Sequence, residues 1–417
     1  VRTNWAGSHT YEASGLATPT SVEEVQELVA SHPHVRALGS RHSFTDLADT
    51  PGLQISLERL PTTVEVIGDA VRVPGGLRYG DLAVALVPRG LGLANLASLP
   101  HISVAGAVAT GTHGSGRRNG SLATAVRGVE LVTGTGELRR LSGADLAGAV
   151  VGVGALGIVT SLDLAVEPAF EMTQVVYEGL TWPALMERLE EVLSCSYSVS
   201  VFTAWVGDEV GQVWVKSRAT TGSTAESDAS AAVLATAGAR PATEQRHMIS
   251  GMATENTTPQ LGVVGPWHER LPHFRMGFLP SAGEELQSEY LVPMSQAAAA
   301  LDAVRALGPD LSEVLFVTEL RTVAADDLWL SGAYGEDALA IHFTWHRDAE
   351  RVGALVERLE EVLLPLGARP HWGKVFRAQA GALAPLYQRW SDFRALAEQL
   401  DPEGRFRNAW TRRHLGI

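Results

Sequence analysis

Apolar residues at Val22, Val25, Leu28 and Val29 fall on one face of a 3.6-residue period, which predicts an amphipathic helix. Ser21, with Glu24 three residues on, reads as the capping box that starts it. The run Val35-Arg36-Ala37-Leu38 predicts a short strand that stops at a Gly39-Ser40 turn and hands over directly to Arg41 and His42. Strands are expected around 64–66 and 71–73 across a Gly68-Asp69 turn, and a helix over 79–87. A hairpin of 126–133 with 137–141 follows across Gly134-Thr135-Gly136. Beyond Pro168 the texture changes. Helical stripes (183–194, 295–307, 351–364) alternate with strands (199–205, 212–216, 314–323, 338–345), as in an α+β second domain. Residues 217–246, rich in Ala, Ser and Thr and weakly patterned, read as a surface excursion.

The 417 residues exceed one ordinary core, so two or more domains are expected. Hydrophobic residues at 45% and charged residues at 19% give an ordinary globular balance. A net charge of −14 opposes nucleic acid or an anionic membrane as main partner, because both select basic surfaces. A single cysteine, Cys195, excludes an intrachain disulfide and a cysteine-based metal site, and no metal is expected. It is read as a buried apolar residue and suits a reducing compartment. No apolar run approaches a bilayer span, and VRTNWAGSHTYEA lacks the layout of a signal peptide. The missing initiator Met points to a trimmed chain, and a cytoplasmic monomer is the expectation.

Two features bear on chemistry. Gly152-Val153-Gly154-Ala155-Leu156-Gly157 matches G-x-G-x-x-G, with Glu178 downstream where a ribose-binding acid is expected. That fingerprint needs a strand before it and a helix after it. Here 144–151 reads as a helix and 158–166 as a strand closed by Pro168, so a nicotinamide site is rejected. The second feature is a pair of strands. VLFVTELR (314–321) carries Glu319 and Arg321 two apart, and LAIHFTW (339–345) carries His342 and Thr344 two apart. Alternation puts each polar pair on one face and the apolar residues on the other. The polar face looks either at water or into a cavity. Groups of both signs on one surface suit an uncharged ligand with many hydroxyls. Gln287 in LQSEYL adds an amide, and Lys374 in HWGKVF adds a cation. In a dry cavity such a set is selective, because an analogue lacking a hydroxyl leaves buried groups unpaired.

Taken together, LGSRHSF (38–44), NLASLPHISVAGAVATGTHGSG (95–116), GALGIVTSL (154–162), the ELR and HFTW runs, HWGK (371–374) and DPEGRFRN (401–408) resemble the vanillyl-alcohol-oxidase-type flavoproteins, and among them the alditol oxidases. The resemblance runs from Asn4 to Asn408. It implies a two-domain α+β fold: an FAD-binding domain at 1–168, a cap domain for substrate at 169–369, and a segment, 370–417, that returns to the FAD-binding domain. It implies FAD bound covalently through one histidine, His42, to the 8α-methyl carbon of the flavin. Gly39, Ser40, Arg41, Ser43, Ser98, Ser103, Gly106, Thr110, Ile158 and His371 match positions lining the cofactor, and His113 is left with a structural role. Small residues let backbone N–H groups approach a pyrophosphate, which needs them in so acidic a chain. Arg41 stands where the more widespread form of the turn has Gly, so a positive φ there would strain it.

The same resemblance implies that Arg321 and Lys374 sit by flavin N5 and the reacting hydroxyl. Glu319 then accepts from substrate hydroxyls and holds Arg321, His342 and Thr344 bind the next hydroxyls, and Ser98 and Gln287 add contacts. Either His342 or Lys374 could take the hydroxyl proton, His342 being preferred. The activity implied is oxidation of the terminal primary hydroxyl of xylitol or sorbitol to the aldose by hydride transfer to flavin N5, with O2 reduced to hydrogen peroxide. Small Ala97 leaves room for O2. An aldonolactone oxidoreductase is the alternative activity, and a flavin- or sugar-binding protein without turnover the alternative class.

Overall fold

The computed structural model describes residues 2–219, 225–277 and 285–417. Among them, β1 (Gly15–Ala17), β2 (Val35–Ala37) and β3 (Leu53–Ile55) form a parallel sheet in the order β1-β3-β2. The predicted helix runs from Val22 to Ser31. Ser21 Oγ accepts from the Glu24 N–H at 3.2 Å, but Glu24 reaches back to the Thr20 N–H at 2.7 Å. Only half of the expected capping box therefore forms at Ser21.

Next come β4 (Glu65–Ile67), β5 (Ala70–Pro74), β6 (Leu91–Gly92), β7 (Val126–Val132), β8 (Leu138–Leu141), β9 (Ile158–Ala165) and β10 (Glu167–Pro168). Five of these form an antiparallel sheet in the order β4-β5-β9-β7-β8, and β6 pairs with β10. Within 95–116, Val104–Ala109 closes into a short helix.

A second, nine-stranded antiparallel sheet follows. It contains β11 (Glu171–Glu178), β12 (Ser198–Thr203), β13 (Gln212–Ala219), β14 (Arg240–Pro241), β15 (Gly265–Pro266), β16 (Glu285–Pro293), β17 (Leu315–Val323), β18 (Ala338–His346) and β19 (Arg369–Pro370). The order is β14-β11-β13-β12-β17-β18-β16-β19, with β15 also on β11. Tyr290, Leu320, Ile341, Phe343 and Trp345 from one face pack with Leu301 and Val304 of the helix Ala297–Ala306 and with Val352, Val356 and Leu359 of the helix Ala349–Leu363. Covering that face with helices leaves the opposite, polar face free to line a cavity.

Two expectations need correction. The stripe at 183–194 breaks at Arg188 into the helices Trp182–Glu187 and Leu189–Leu193. Within 217–246, residues 220–224 lie outside the described residues, and Ala225–Thr236 is a helix with Ser230 and Leu234 buried. Its alanines give no amphipathic stripe, yet alanine is the strongest intrinsic helix former, so composition outweighed pattern.

The chain end returns to the first core. Leu383, Phe393, Leu400, Trp410 and Leu415 pack in one cluster with Leu82, Val104, Leu122 and Leu162. This is the two-domain α+β fold expected. Among the described residues no helix is long and apolar enough to cross a membrane.

Candidate active site

A cavity of about 390 Å³ opens between the turns of the N-terminal region and the polar face of the nine-stranded sheet. Register builds its far wall. Glu289 of β16 and Glu319 of β17 each stand opposite His342 of β18, so the three form one row across the sheet. Gln287 stands opposite Thr344 in the next row. The segment 371–375 then runs along β16. The His371 N–H donates to Glu289 O at 2.9 Å and the Val375 N–H to Gln287 O at 2.8 Å, which carries Lys374 to the row.

Glu289 is the hub of that wall. Its side chain is 1% exposed, accepts from Arg321 Nη2 at 2.6 Å and from Lys374 Nζ at 2.6 Å, and lies 3.2 Å from His113 Nε2. Burial alone would push this carboxyl up; Lys374 and Arg321 overcome it and hold it well below the usual carboxylate range. Lys374 Nζ also donates to His342 Nδ1 at 2.7 Å, and His342 Nε2 pairs with Thr344 Oγ1 at 3.1 Å. An ammonium can only donate, so the imidazole proton sits on Nε2 and faces Thr344. Burial, then Lys374, hold His342 well below its ordinary pKa, so the ring is neutral. Burial likewise lowers the Lys374 ammonium, with Glu289 opposing and Arg321 adding to the shift.

Arg321 Nη1 reaches Ser98 Oγ at 3.4 Å. Its firm partner is Glu289; Glu319 Oε2 stands 3.6 Å from Arg321 Nε, outside hydrogen-bond reach. Glu319 instead accepts from His273 Nε2 at 2.7 Å. Gln287 Nε2 donates to Glu285 Oε1 at 2.7 Å.

The other end of the cavity is built from backbone and small residues. Arg41 has φ 65°, the left-handed conformation suspected at that position, at a cost of about 1–2 kcal/mol for a residue with a Cβ. Neighbouring bonds hold the turn there. The Trp5 N–H donates to Arg41 O at 2.8 Å, Asn4 Nδ2 to Ser43 O at 2.9 Å, and the Phe44 N–H to Gly373 O at 2.9 Å. The His42 ring stacks on Trp5 at 5.1 Å between centroids. Burial pushes His42 down to about 4. Ser40 Oγ accepts from the Ser103 N–H at 3.1 Å, Thr110 Oγ1 donates to Gly106 O at 3.0 Å, and His371 Nδ1 accepts from the Gly373 N–H at 3.1 Å.

Of the residues predicted for cofactor and substrate, Gly39, Ser40, Arg41, His42, Ser43, Ser98, Ser103, Gly106, Thr110, Gln287, Glu319, Arg321, His342, Thr344, His371 and Lys374 all line this one cavity. Ile158 does not. Its side chain is buried with Val25, Val29 and Ile55, while its neighbours Gly157 and Val159 line the cavity. Strand alternation turns it to the opposite face. The 152–157 loop, rejected as a nicotinamide fingerprint, does border the cavity and leads into β9, a strand. Arg36 anchors the loop by donating to Val153 O at 2.9 Å and Gly154 O at 2.7 Å. Cys195 is half-buried rather than buried, packs beside the second core, and has its thiol pushed up to about 12 by burial.

Comparison with known proteins adds two family matches. A model described as FAD binding domain matches residues 13–142, and one described as D-arabinono-1,4-lactone oxidase matches 283–414. The alditol oxidase of Streptomyces sp. (strain IKD472 / FERM P-14339) is 48% identical over 98% of this chain and 98% of its own length. The chain belongs to the vanillyl-alcohol-oxidase-type flavoproteins, in the alditol oxidase group. It is an FAD-dependent oxidoreductase. Other members of this flavoprotein family align as fully but less closely. The L-gulono-1,4-lactone dehydrogenase of Mycobacterium tuberculosis (strain ATCC 25618 / H37Rv) is 30% identical over 100% of this chain and 99% of its own. The L-gulonolactone oxidase of Bos taurus is 24% identical over 98% and 96%.

The residues of this flavoprotein fit FAD. Among the described residues, both ring nitrogens of His42 and Ser103 Oγ are buried without a hydrogen-bond partner. A Cβ on Gly39 would lie 2.5 Å from Ser103 Oγ, and one on Gly106 2.7 Å from it, so a side chain at either would crowd the cradle. Three buried ionisable residues at or behind the cavity wall escaped the sequence reading. Glu289 lies two positions after Gln287 on the same strand face, so extending the alternation through LQSEYL would have found it. Lys216 stands alone among Val213, Trp214 and Val215, an oddity in so apolar a strand. His273 carried no signal of its own.

Proposed function

We propose that this protein oxidises the terminal primary hydroxyl of alditols such as xylitol and sorbitol to the aldose, with O2 as electron acceptor and hydrogen peroxide as product. When bound, FAD supplies the hydride acceptor and passes the electrons on to O2. The observation that carries the assignment is the buried pair of cations, Arg321 and Lys374, joined through Glu289 and facing the same cavity as Glu319, His342 and Thr344.

Two cations on a dry wall stabilise negative charge developing on a hydroxyl oxygen, and more strongly than in water. Glu289 fixes both nitrogens in advance, so little reorganisation is needed when the charge appears. The proton leaves through Lys374. Burial lowers its ammonium, so the amine form is within reach and takes the hydroxyl proton. Neutral His342 positions that nitrogen through the 2.7 Å contact at Nδ1, so of the two predicted candidates for the base Lys374 is the one proposed. Rows two residues apart on a strand lie about 6.6 Å apart, the span of a short extended carbon chain. Glu319 and Thr344 then meet hydroxyls several carbons apart on a linear polyol. A lactone, closed into a ring, cannot lay its hydroxyls along those rows and leaves buried groups unpaired. The alternative, an aldonolactone oxidoreductase, draws support from the match over 283–414.

His42 joins FAD through a single histidyl bond in this reading. Burial keeps the imidazole unprotonated and therefore nucleophilic, and Trp5 holds its plane. The domain limits proposed are 1–168, 169–369 and 370–417. Acid-denatured protein should stay yellow, and His42→Ala should release its colour on denaturation. The activity itself is tested by adding xylitol or sorbitol without oxygen: the flavin band should bleach. A band that neither alditol bleaches overturns the assignment.

A further inference from the structure

Behind Glu319 stands a second buried charge that the reaction above does not use. Lys216, at the centre of β13, is 1% exposed and lies outside the cavity wall. Its ammonium meets three acceptors: Leu271 O at 2.5 Å, Pro272 O at 3.3 Å and His273 Nδ1 at 3.1 Å. His273 Nε2 in turn lies 2.7 Å from Glu319 Oε1. Phe202 and Trp214 pack edge-on against the His273 ring, at 5.5 and 5.2 Å between centroids, and prevent it from turning.

These contacts fix every proton in the chain Lys216–His273–Glu319. An ammonium has no lone pair, so His273 Nδ1 accepts from it, and the ring's one proton sits on Nε2 and is donated to Glu319. Burial, reinforced by Lys216, pushes His273 down to about 4, so the ring is neutral at pH 6. Burial pulls Lys216 down to about 7, with Glu319 opposing and Arg321 adding, so it is still charged there. Glu319 is left ionised, with Oε1 filled and Oε2 available to accept from a hydroxyl.

We propose that Lys216 is a positioning residue: acting through His273, it fixes Glu319 as a pure acceptor and so selects ligands that present a hydroxyl hydrogen there. This rests on the alditol reading, through the contact of Glu319 with substrate hydroxyls. Without the ammonium, the His273 proton moves to Nδ1, where the carbonyls of Leu271 and Pro272 accept it. The Nε2 lone pair can then face Glu319, which loses the donor that orients Oε1 and with it the fixed direction of Oε2.

The test is steady-state oxidation of xylitol by the holoenzyme at pH 6, with Lys216→Met, His273→Phe and His273→Gln. Lys216→Met and His273→Phe should raise KM by about tenfold while kcat moves far less. His273→Gln keeps one donor and one acceptor and should recover most of the KM lost in His273→Phe. A Lys216→Met enzyme with the parent's KM, or with a lowered kcat at unchanged KM, overturns the proposal. Nitrogen-15 spectra of the histidine-labelled parent provide a readout independent of turnover and of variant folding. The resonance lost in His273→Gln should report a proton on Nε2 at pH 6, and a proton on Nδ1 overturns the relay. If the parent oxidises no alditol, the alditol reading fails, while the spectra still decide the relay.

Discussion

At the end of the cavity built by residues 39–43 and 103–110, most side chains other than Arg41 and His42 are small and backbone makes much of the surface. At the end built by β16, β17 and β18, charged side chains stand almost wholly out of water, Glu289 with 1% of its side chain exposed and Arg321 with 6%. The contrast follows from what each end holds. The cofactor is large, resident and carries a pyrophosphate; in a chain of net charge −14 it is met by close backbone approach. The proposed substrate, an alditol, is small, uncharged and exchanged at every turnover, so it needs strong directional groups whose desolvation cost is offset by one another. One end is therefore spoiled by adding atoms and the other by removing a charge.

The largest effect should come from the charged end. Glu289→Gln removes the counter-charge that Arg321 and Lys374 share, leaving Arg321 with Glu319 at 3.6 Å, which should cost about 3–5 kcal/mol of folding stability in denaturant unfolding. It should also depress xylitol turnover. Lys374→Met should lower turnover by about 10²–10³-fold with FAD content unchanged; turnover within a few-fold of the parent would remove Lys374 from the chemistry. At the cradle end, Gly39→Val should lower FAD incorporation, because its side chain meets Ser103 Oγ where the cofactor has to enter, read as a lower ratio of flavin to protein absorbance. Full occupancy in that variant would mean that close approach at Gly39 is not needed.

A further effect is in pH. Burial pushes both His273 and His414 down to about 4, while the unfolded chain keeps them near their ordinary 6.5. As pH falls through that window the unfolded state takes up protons first, so stability is lost between 6.5 and 4. Thermal unfolding should show a falling Tm there, and His414→Phe should flatten part of the slope.

Periodic elements were legible in the sequence because amphipathic patterning and turn residues decide them locally. The polar pairs Glu319/Arg321 and His342/Thr344 were legible for the same reason, since alternation on a strand fixes a shared face. Glu289 was not, because its meaning comes from partners 32 and 85 positions away, Arg321 and Lys374, which meet it only once β16 and β17 flank β18. Ile158 shows the converse: its neighbours Gly157 and Val159 line the cavity, yet its own side chain points to the other face of the strand. Arg41 shows the fold overriding a local preference, with Trp5, Asn4 and Gly373 tying down a turn that its Cβ disfavours. The 225–236 helix was missed because uniform alanine leaves no stripe to read.

Hydrogen peroxide release by the holoenzyme, measured side by side on xylitol, sorbitol and L-gulono-1,4-lactone, tests the pairing of this charged wall with a linear polyol most directly. Peroxide formed with a higher kcat/KM on xylitol or sorbitol than on the lactone is the predicted result. Peroxide formed on the lactone and on neither alditol would contradict it.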